Sequence, residues 1–453
     1  MLPFIEKCLF TQLAELGRFA SPVSQVITAA LSAVEPRIAT RSALESASPD
    51  FSQDPAGRLM LLAFGKAAFP MAMGALDVLA GCISGGVIVP KHIPSDLDAL
   101  PAAFSLIPGA HPVPDERSQT AGLVVYDFLS NLADQDRVIC LISGGGSALL
   151  TYPVDGVSLT DLQQLTHQLL ACGASITEIN ALRKHLDRVK GGGLARSAAP
   201  AKLDTFILSD VMGNPIDAIA SGPTAPDPTT YAEAWSILEK YHLESIAPAP
   251  VISVLRKGLE GLRPETLKPG APIFRRVTHT IVADNAAAAQ AAAARSQSLG
   301  WQSNWDPTPL CGEARHAGVQ LATTLSHLAA QHNSNQSLFF QVLGGETTVT
   351  LQGNGLGGRN LETALAAVPI LAGVKNTALI TLATDGEDGP TDAAGALVTG
   401  ETMQKARQMN LNPADFLARN DSYTFFQQVG GLIKTGSTCT NVNDLVFLLS
   451  YAS

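Results

Sequence analysis

Two glycine turns carry most of the chemistry that this chain can do. In VICLISGGGSAL, residues 138–149, a β-rich apolar run stops at three glycines and a serine where a helical segment begins. Gly144, Gly145 and Gly146 have no side chains to bar close approach, so their N–H groups can close on phosphate or carboxylate oxygens. Ser143 and Ser147 add hydroxyls on either side, and the positive end of the following helix favours an anion. In LLAFGKAA, residues 61–68, another strand ends at Gly65 and Lys66 stands at the mouth of a helix. A cation there opposes the helix dipole unless an anion arrives to offset it. The motif is not a P-loop: the GxxxxGK[ST] spacing fails, and Ala67 occupies the place of the hydroxyl residue that would hold a metal ion.

Four further segments stand out from ordinary scaffold. In NALRKHLDRVKGGG, 180–193, helical spacing puts Arg183 one turn from Asp187 and Lys190 a further turn on; the triple glycine behind them implies close approach by a ligand or another strand. Asp210 directly follows a buried-type strand, the usual place for a catalytic or metal-binding carboxylate, and Asp217, Ser221 and Gly222-Pro223-Thr224 extend its loop. In QVLGGETTVTLQGNGLGGRNLE, 341–362, Gly344-Gly345 predicts a hairpin that carries Glu346 toward substrate or metal. Gly353, Gly355 and Gly358 formally satisfy the dinucleotide pattern G-x-G-x-x-G, while Arg359 after Gly357 and Gly358 suits a transferring phosphoryl group better than a dinucleotide. In LATDGEDGPTDAAGA, 382–396, Asp385, Glu387, Asp388 and Asp392 break EF-hand spacing; they fit either Mg²⁺ held through one or two carboxylates or a turn-rich surface loop. His111, in HPVPD, is the one histidine placed to contact a substrate.

These residues need a scaffold, and its pattern is legible. Short β-rich runs at 59–64, 86–89, 138–142, 203–208, 277–283, 339–343, 347–351, 378–383 and 445–449 alternate with helical stretches at 162–172, 177–190, 286–299, 313–330 and 361–371. That alternation predicts an α/β protein with a largely parallel sheet. Ser175 with Glu178 forms a capping box, and Asp284 or Asn285 is an N-cap. Proline concentrates at 247–250 and 262–272, which predicts two domains, 1–246 and 247–453, with the site in the cleft between them.

Composition narrows the function. A net charge of −10 over 453 residues argues against nucleic acid or an anionic membrane as partner, since both need concentrated Lys and Arg. Six scattered cysteines without a CxxC pair read as reduced thiols, and Glu6 and Lys7 interrupt the first apolar stretch, which spoils a signal peptide. The expectation is a cytoplasmic enzyme, monomer or homodimer, acting on a small anionic substrate.

Taken together, GKAA at 65–68, HPVPD at 111–115, SGGGSALL at 143–150, ITEIN and LRKHLDRVKGGGLA within 176–195, the 207–231 loop, GGETTVTLQGNGLGGRNLE and TDGEDGPTDAAGA resemble the class II glycerate 2-kinase family, in order and over nearly the whole chain. The C-terminal part of that family is called the MOFRL domain. The resemblance implies a Rossmann-like N-terminal domain and transfer of the γ-phosphoryl group of ATP to the 2-hydroxyl of D-glycerate with Mg²⁺. It implies Lys66 and Arg359 as catalytic cations, with Asp210 orienting or deprotonating the hydroxyl or binding metal. Ser143 to Ser147, Arg183, Lys190, Glu346, Gly357 and Gly358 would surround the anions, with Asp385 and Asp388 as further metal ligands. Family members also carry the label hydroxypyruvate reductase, so an NAD(P)H-dependent reductase with a dinucleotide turn at 353–358 is the alternative.

Overall fold

The computed structural model describes residues 2–51, 57–94, 100–331 and 338–451, which form two compact units. One spans Pro36–Val282; the other combines Met1–Glu35 with Ala283–Ser453. A division at 246/247 is therefore not where the units part. Helix Ala249–Leu259, between the two proline clusters, buries Val251, Val254 and Leu255 among Leu165, Leu182, Ile237 and Leu238 of the preceding helices, so the prolines turn the chain inside one unit.

The first unit is built on six strands, β1 (Leu59–Phe64), β2 (Ile83–Val89), β3 (Phe104–Leu106), β4 (Arg137–Ile142), β5 (Lys202–Leu208) and β6 (Val277–Ala283), in the order β3-β2-β1-β4-β5-β6. β1 is parallel to both β2 and β4, and β5 is parallel to β4. β4 is buried on both faces along nearly its whole length, the signature of a central parallel strand with helices on either side. This is the doubly wound order in which connections leave β1 and β4 in opposite directions, opening a crevice at the carboxyl ends of those two strands. Lys66 follows β1 and the GGGS turn follows β4, so topology alone brings the two turns together. Helices Leu159–Ala171 and Ile176–Leu186 each begin with a complete capping box, from Ser158 with Asp161 and from Ser175 with Glu178.

The second unit is a mixed sheet of β7 (Gln302–Leu310), β8 (Phe339–Gly345), β9 (Thr377–Ala383), β10 (Gly395–Thr399), β11 (Leu432–Ile433) and β12 (Asp444–Ser450), ordered β11-β10-β9-β12-β8-β7. β12 runs antiparallel between β8 and β9, which makes Gly345, Asp444 and Ala383 register partners at one edge. Asp284 caps helix Asn285–Ser298 by accepting the Ala287 N–H at 2.8 Å. Two expectations fail here. The hairpin at Gly344-Gly345 does not form, because β8 runs through both glycines and is already paired on each side, with β12 and with β7. Residues 347–351 are accordingly a loop with a single bridge, Glu313 to Thr348. β7 was not legible, since QSNWDPTPL is polar and holds two prolines; it lies at the sheet edge, where an absent N–H costs no ladder bond. Among the described residues no helix is long and apolar enough to cross a membrane.

If Ala249–Leu259 belongs to the first unit, Leu255→Ala should cost about 2–5 kcal/mol. Hydrogen exchange should then quicken in Leu159–Ala171 and Ile176–Leu186 and stay unchanged in β8 and β12. The opposite pattern would place the helix with the other unit.

Candidate active site

At the carboxyl edge of β1 and β4 the two turns are stitched together by backbone. Lys66 N–H donates to Gly144 O at 2.8 Å, and Ala67 N–H to Ser143 Oγ at 3.0 Å. Ser143 is thus a fastener, fully buried, and not a free hydroxyl. Gly145 sits at φ 80°, and a Cβ there would stand 3.0 Å from the His111 ring and 3.2 Å from Lys66 Cγ. A Cβ on Gly144 would run into the Asp210 carboxylate, so the bare turn is what lets Lys66, His111 and Asp210 gather around one stretch of backbone. The helix after the turn is a single four-residue turn, Gly146–Leu149, much shorter than expected, so its dipole is slight. An anion at this turn would meet instead the amides that precede the first helical bond, Ala148 N–H to Gly145 O at 3.1 Å.

The Lys66 side chain is exposed and makes no ion pair among the described residues. Burial, then Lys66 and Lys91, push the His111 imidazole down to about 4, so it is neutral at physiological pH. Ser147 Oγ lies 2.6 Å from Ser221 Oγ, which itself donates to Asn180 Oδ1 at 3.0 Å. The Ser147 proton therefore goes to Ser221, and Ser147 presents its lone pairs. Ser221 reaches this position through strain: Ala220 and Ser221 hold left-handed φ values of 50° and 63°. The triple glycine explains how that strain is maintained. Gly191 and Gly192 N–H groups donate to Ser221 O at 3.0 Å and Gly222 O at 2.8 Å, so the close neighbour implied by the glycines is another backbone segment, not a ligand. Asn180 was the residue that sequence reasoning missed; its partner lies 41 residues away.

Arg183 and Lys190 differ from expectation. Helix Ile176–Leu186 stops before Asp187, which turns extended because its carboxylate accepts from Val189 N–H at 3.0 Å and Lys190 Nζ at 2.6 Å. Lys190 is 4% exposed and completes its set with Leu150 O and Thr151 Oγ1, so it is a buried structural cation unavailable to phosphate. Arg183 makes no hydrogen bond or ion pair among the described residues and lines a small cavity with Ser147. Burial holds its guanidinium pKa below the ordinary value, with Asp187 opposing.

Glu346, Gly357, Gly358, Arg359, Asp385 and Asp388 all lie in the second unit. Arg359 forks onto Asp444, at 2.5 and 3.2 Å, and reaches Glu346 at 2.7 Å, so its charge is already offset by two carboxylates. Burial lowers its pKa but the Asp444 and Glu346 carboxylates outweigh that and leave it raised. Asp388 lies under Gly358 and takes the N–H groups of Asn360 at 3.0 Å and Leu361 at 2.8 Å. That carboxylate occupies the helix N-terminus where a pyrophosphate would bind, and Gly353 and Gly355 pack against the backbone of Arg419 and the β-carbon of Asp421. The dinucleotide turn is therefore closed by protein. Asp388 likewise does not fit as a metal ligand, since both its oxygens serve the helix. Asp385 folds into a local turn, accepting from Glu387 N–H at 3.1 Å. Among the described residues no group of three or more His, Cys, Asp or Glu is placed to hold a metal ion.

Comparison with known proteins agrees with this architecture. Residues 22–256 match the model of a domain of unknown function (DUF4147), and residues 339–444 match the MOFRL family. The chain is 37% identical to the D-glycerate 2-kinase of Thermotoga maritima, covering 93% of this chain and 96% of that protein. It is 39% identical to the glycerate 2-kinase of Pyrococcus horikoshii, covering 87% of each. A crystal structure of the Thermotoga maritima glycerate kinase superposes with a TM-score of 0.84 at 37% identity, over 94% of this chain and 98% of that one.

Burial pushes the Asp388 carboxyl up to about 6, against the amides that favour its ionised form. An unfolded Asp titrates near about 3.9, so between those values the folded chain binds more protons than the unfolded one. Stability contributed by this group therefore falls as pH rises through that window and is level above it. In urea unfolding at pH 4, 5, 6 and 7, Asp388→Asn should flatten that slope by up to about 3 kcal/mol. An unchanged slope would mean that Asp388 is ordinary.

Proposed function

Because this chain belongs to the class II glycerate 2-kinase family, we infer that it transfers the γ-phosphoryl group of ATP to the 2-hydroxyl of D-glycerate, giving 2-phosphoglycerate and ADP. The observation that carries the assignment of roles is the 2.8 Å bond from Lys66 N–H to Gly144 O, which holds an exposed ammonium beside a run of amides without side chains. Phosphoryl transfer through a loose transition state asks mainly for positioning and for stabilising charge spread over three equatorial oxygens. Lys66 and the amides at Gly144 to Gly146 supply that. Arg183, which makes no hydrogen bond or ion pair among the described residues, takes the glycerate carboxylate as a bidentate fork. Ser147, whose proton is directed at Ser221, accepts from a glycerate hydroxyl. His111, neutral beside Lys66, adds a hydrogen bond without a competing positive charge. Arg359, aimed by Asp444 and already close to Glu346, is the second cation of the family pattern.

Mg²⁺ when bound neutralises β- and γ-phosphate oxygens, and Asp210 is the carboxylate of the right chemistry at the glycine turn, since this ion is commonly held by one or two carboxylates plus substrate phosphates. Asp385 and Asp388 are not needed for that role.

Incubation with ATP, Mg²⁺ and D-glycerate should give one new phosphomonoester by ³¹P NMR, the 2-isomer, with stoichiometric ADP. Lys66→Ala should lower kcat by about 100-fold or more with an unchanged Tm. Oxidation of NADH by hydroxypyruvate without any ATP-dependent product would overturn the reading. Asp210→Asn should raise the half-saturating Mg²⁺ concentration roughly tenfold. A variant that keeps the wild-type metal requirement and instead loses the acidic limb of its pH profile would make Asp210 the proton acceptor.

A further inference from the structure

A second cavity in the Pro36–Val282 unit, of about 450 Å³, opens beside the triple glycine and takes no part in the transfer chemistry. The charges on its wall are met by groups of opposite sign, apart from two arginines. Asp155 pairs with Arg188, Asp187 with Lys190, and Glu265 with His185 and Lys268, while Lys184 lies between Asp217 and Asp227. Arg196 and Arg263 face the same cavity without a carboxylate. Among the described residues each donates only to a main-chain carbonyl, Arg196 to Glu265 O at 3.3 Å and Arg263 to Asp155 O at 3.4 Å. Tyr231 completes the wall. It is 5% exposed, its ring packs on His185 with centroids 4.6 Å apart, and its N–H is bound to Glu265 Oε1 at 2.9 Å. Tyr231 thus lines the cavity, and its hydroxyl makes no hydrogen bond to protein among the described residues, which leaves it free to donate to an occupant.

We propose that this cavity binds a phosphate dianion, free or as a monoester, held by the Arg196 and Arg263 guanidinium forks and the Tyr231 hydroxyl. A phosphomonoester carries close to two negative charges at neutral pH and offers three terminal oxygens to these donors, whereas the carboxylate of a monocarboxylate such as glycerate offers one charge and two oxygens. Planar guanidinium forks match phosphate oxygens in pairs, and the phenol offers a third donor to the same group. A purely apolar occupant would offer these donors no acceptor, and a neutral one would leave the two guanidinium charges without a counter-charge.

Inorganic phosphate titrated calorimetrically into the full-length protein at low ionic strength tests this directly. The Arg196→Gln/Arg263→Gln double variant should bind phosphate at least tenfold more weakly, and Tyr231→Phe, which keeps the ring packing, several-fold more weakly. Lys66→Ala should retain that binding event, which separates this site from the glycine turn. Circular dichroism should show all the variants folded; Arg196 lies at the surface and Arg263 is half-buried. Repeating the titration with glycerol phosphate tells whether the site prefers a monoester, and tighter or equal binding of either form supports the proposal. Unchanged phosphate affinity in the double variant, loss of all binding in Lys66→Ala alone, or no phosphate binding by the wild type would each overturn it.

Discussion

The adjacency of β1 and β4 is the constraint on which the first-unit site depends. Two parallel strands whose connections depart in opposite directions leave an opening at their carboxyl ends, and both the lysine turn and the triple-glycine turn fall there because each directly follows one of the strands. Residues 59–64 and 137–142 pair one to one, so the turns begin at the same height and Lys66 N–H meets Gly144 O without any adjustable loop between them. Precision comes from the sheet. A binding turn mounted on buried strands inherits their rigidity, which is what a reaction governed by positioning requires.

The two units treat charge differently. Lys66 stands exposed and makes no ion pair among the described residues, and the neighbouring His111 is kept neutral. Arg359, by contrast, is held by Asp444 and Glu346, and the Asn360 side-chain amide donates to both Asp444 and Asp388, tying that pair to the helix start. Such a network fixes the direction of a guanidinium at the expense of its availability, and it stiffens the start of helix Arg359–Ala367 through the Asp388 cap. Lys190 shows the extreme of this behaviour, a cation wholly absorbed into holding Asp187 and the 150–151 backbone in place.

What could be read from the sequence was what local pattern encodes. Strands 59–64 and 277–283 appear with those bounds, because short apolar runs closed by polar or glycine residues have few other uses. The alternating TTVTL at 347–351 fails for a reason no local pattern contains: β8 already has neighbours on both sides, and Leu351 is left 78% exposed. Lys190 was misplaced because helical periodicity was carried past Asp187, where a side chain competes successfully with the helix for backbone donors. The lysine and glycine turns were legible because their residue types are costly without an anion. Ser147, Ser221 and Asn180 form a relay across separations of 74 and 41 residues, and Arg359 finds Asp444 85 residues away; such partners are chosen by topology and leave no trace in spacing.

The second unit takes its material from both ends of the chain, and this has a consequence for how the molecule is made. Helix Ala20–Ala33 packs on helix Asn285–Ser298, Gln12 bonds to Lys434, and Thr440 bonds to the Val34 carbonyl. During synthesis the amino-terminal helices emerge first, yet their partners are delivered only after the whole Pro36–Val282 unit has left the ribosome. An apolar stretch holding Val23, Val26, Ile27 and Leu31, all buried in the finished protein, must therefore wait unhoused through most of translation. That helix finds its shelter only once the residues from 285 onward have been made.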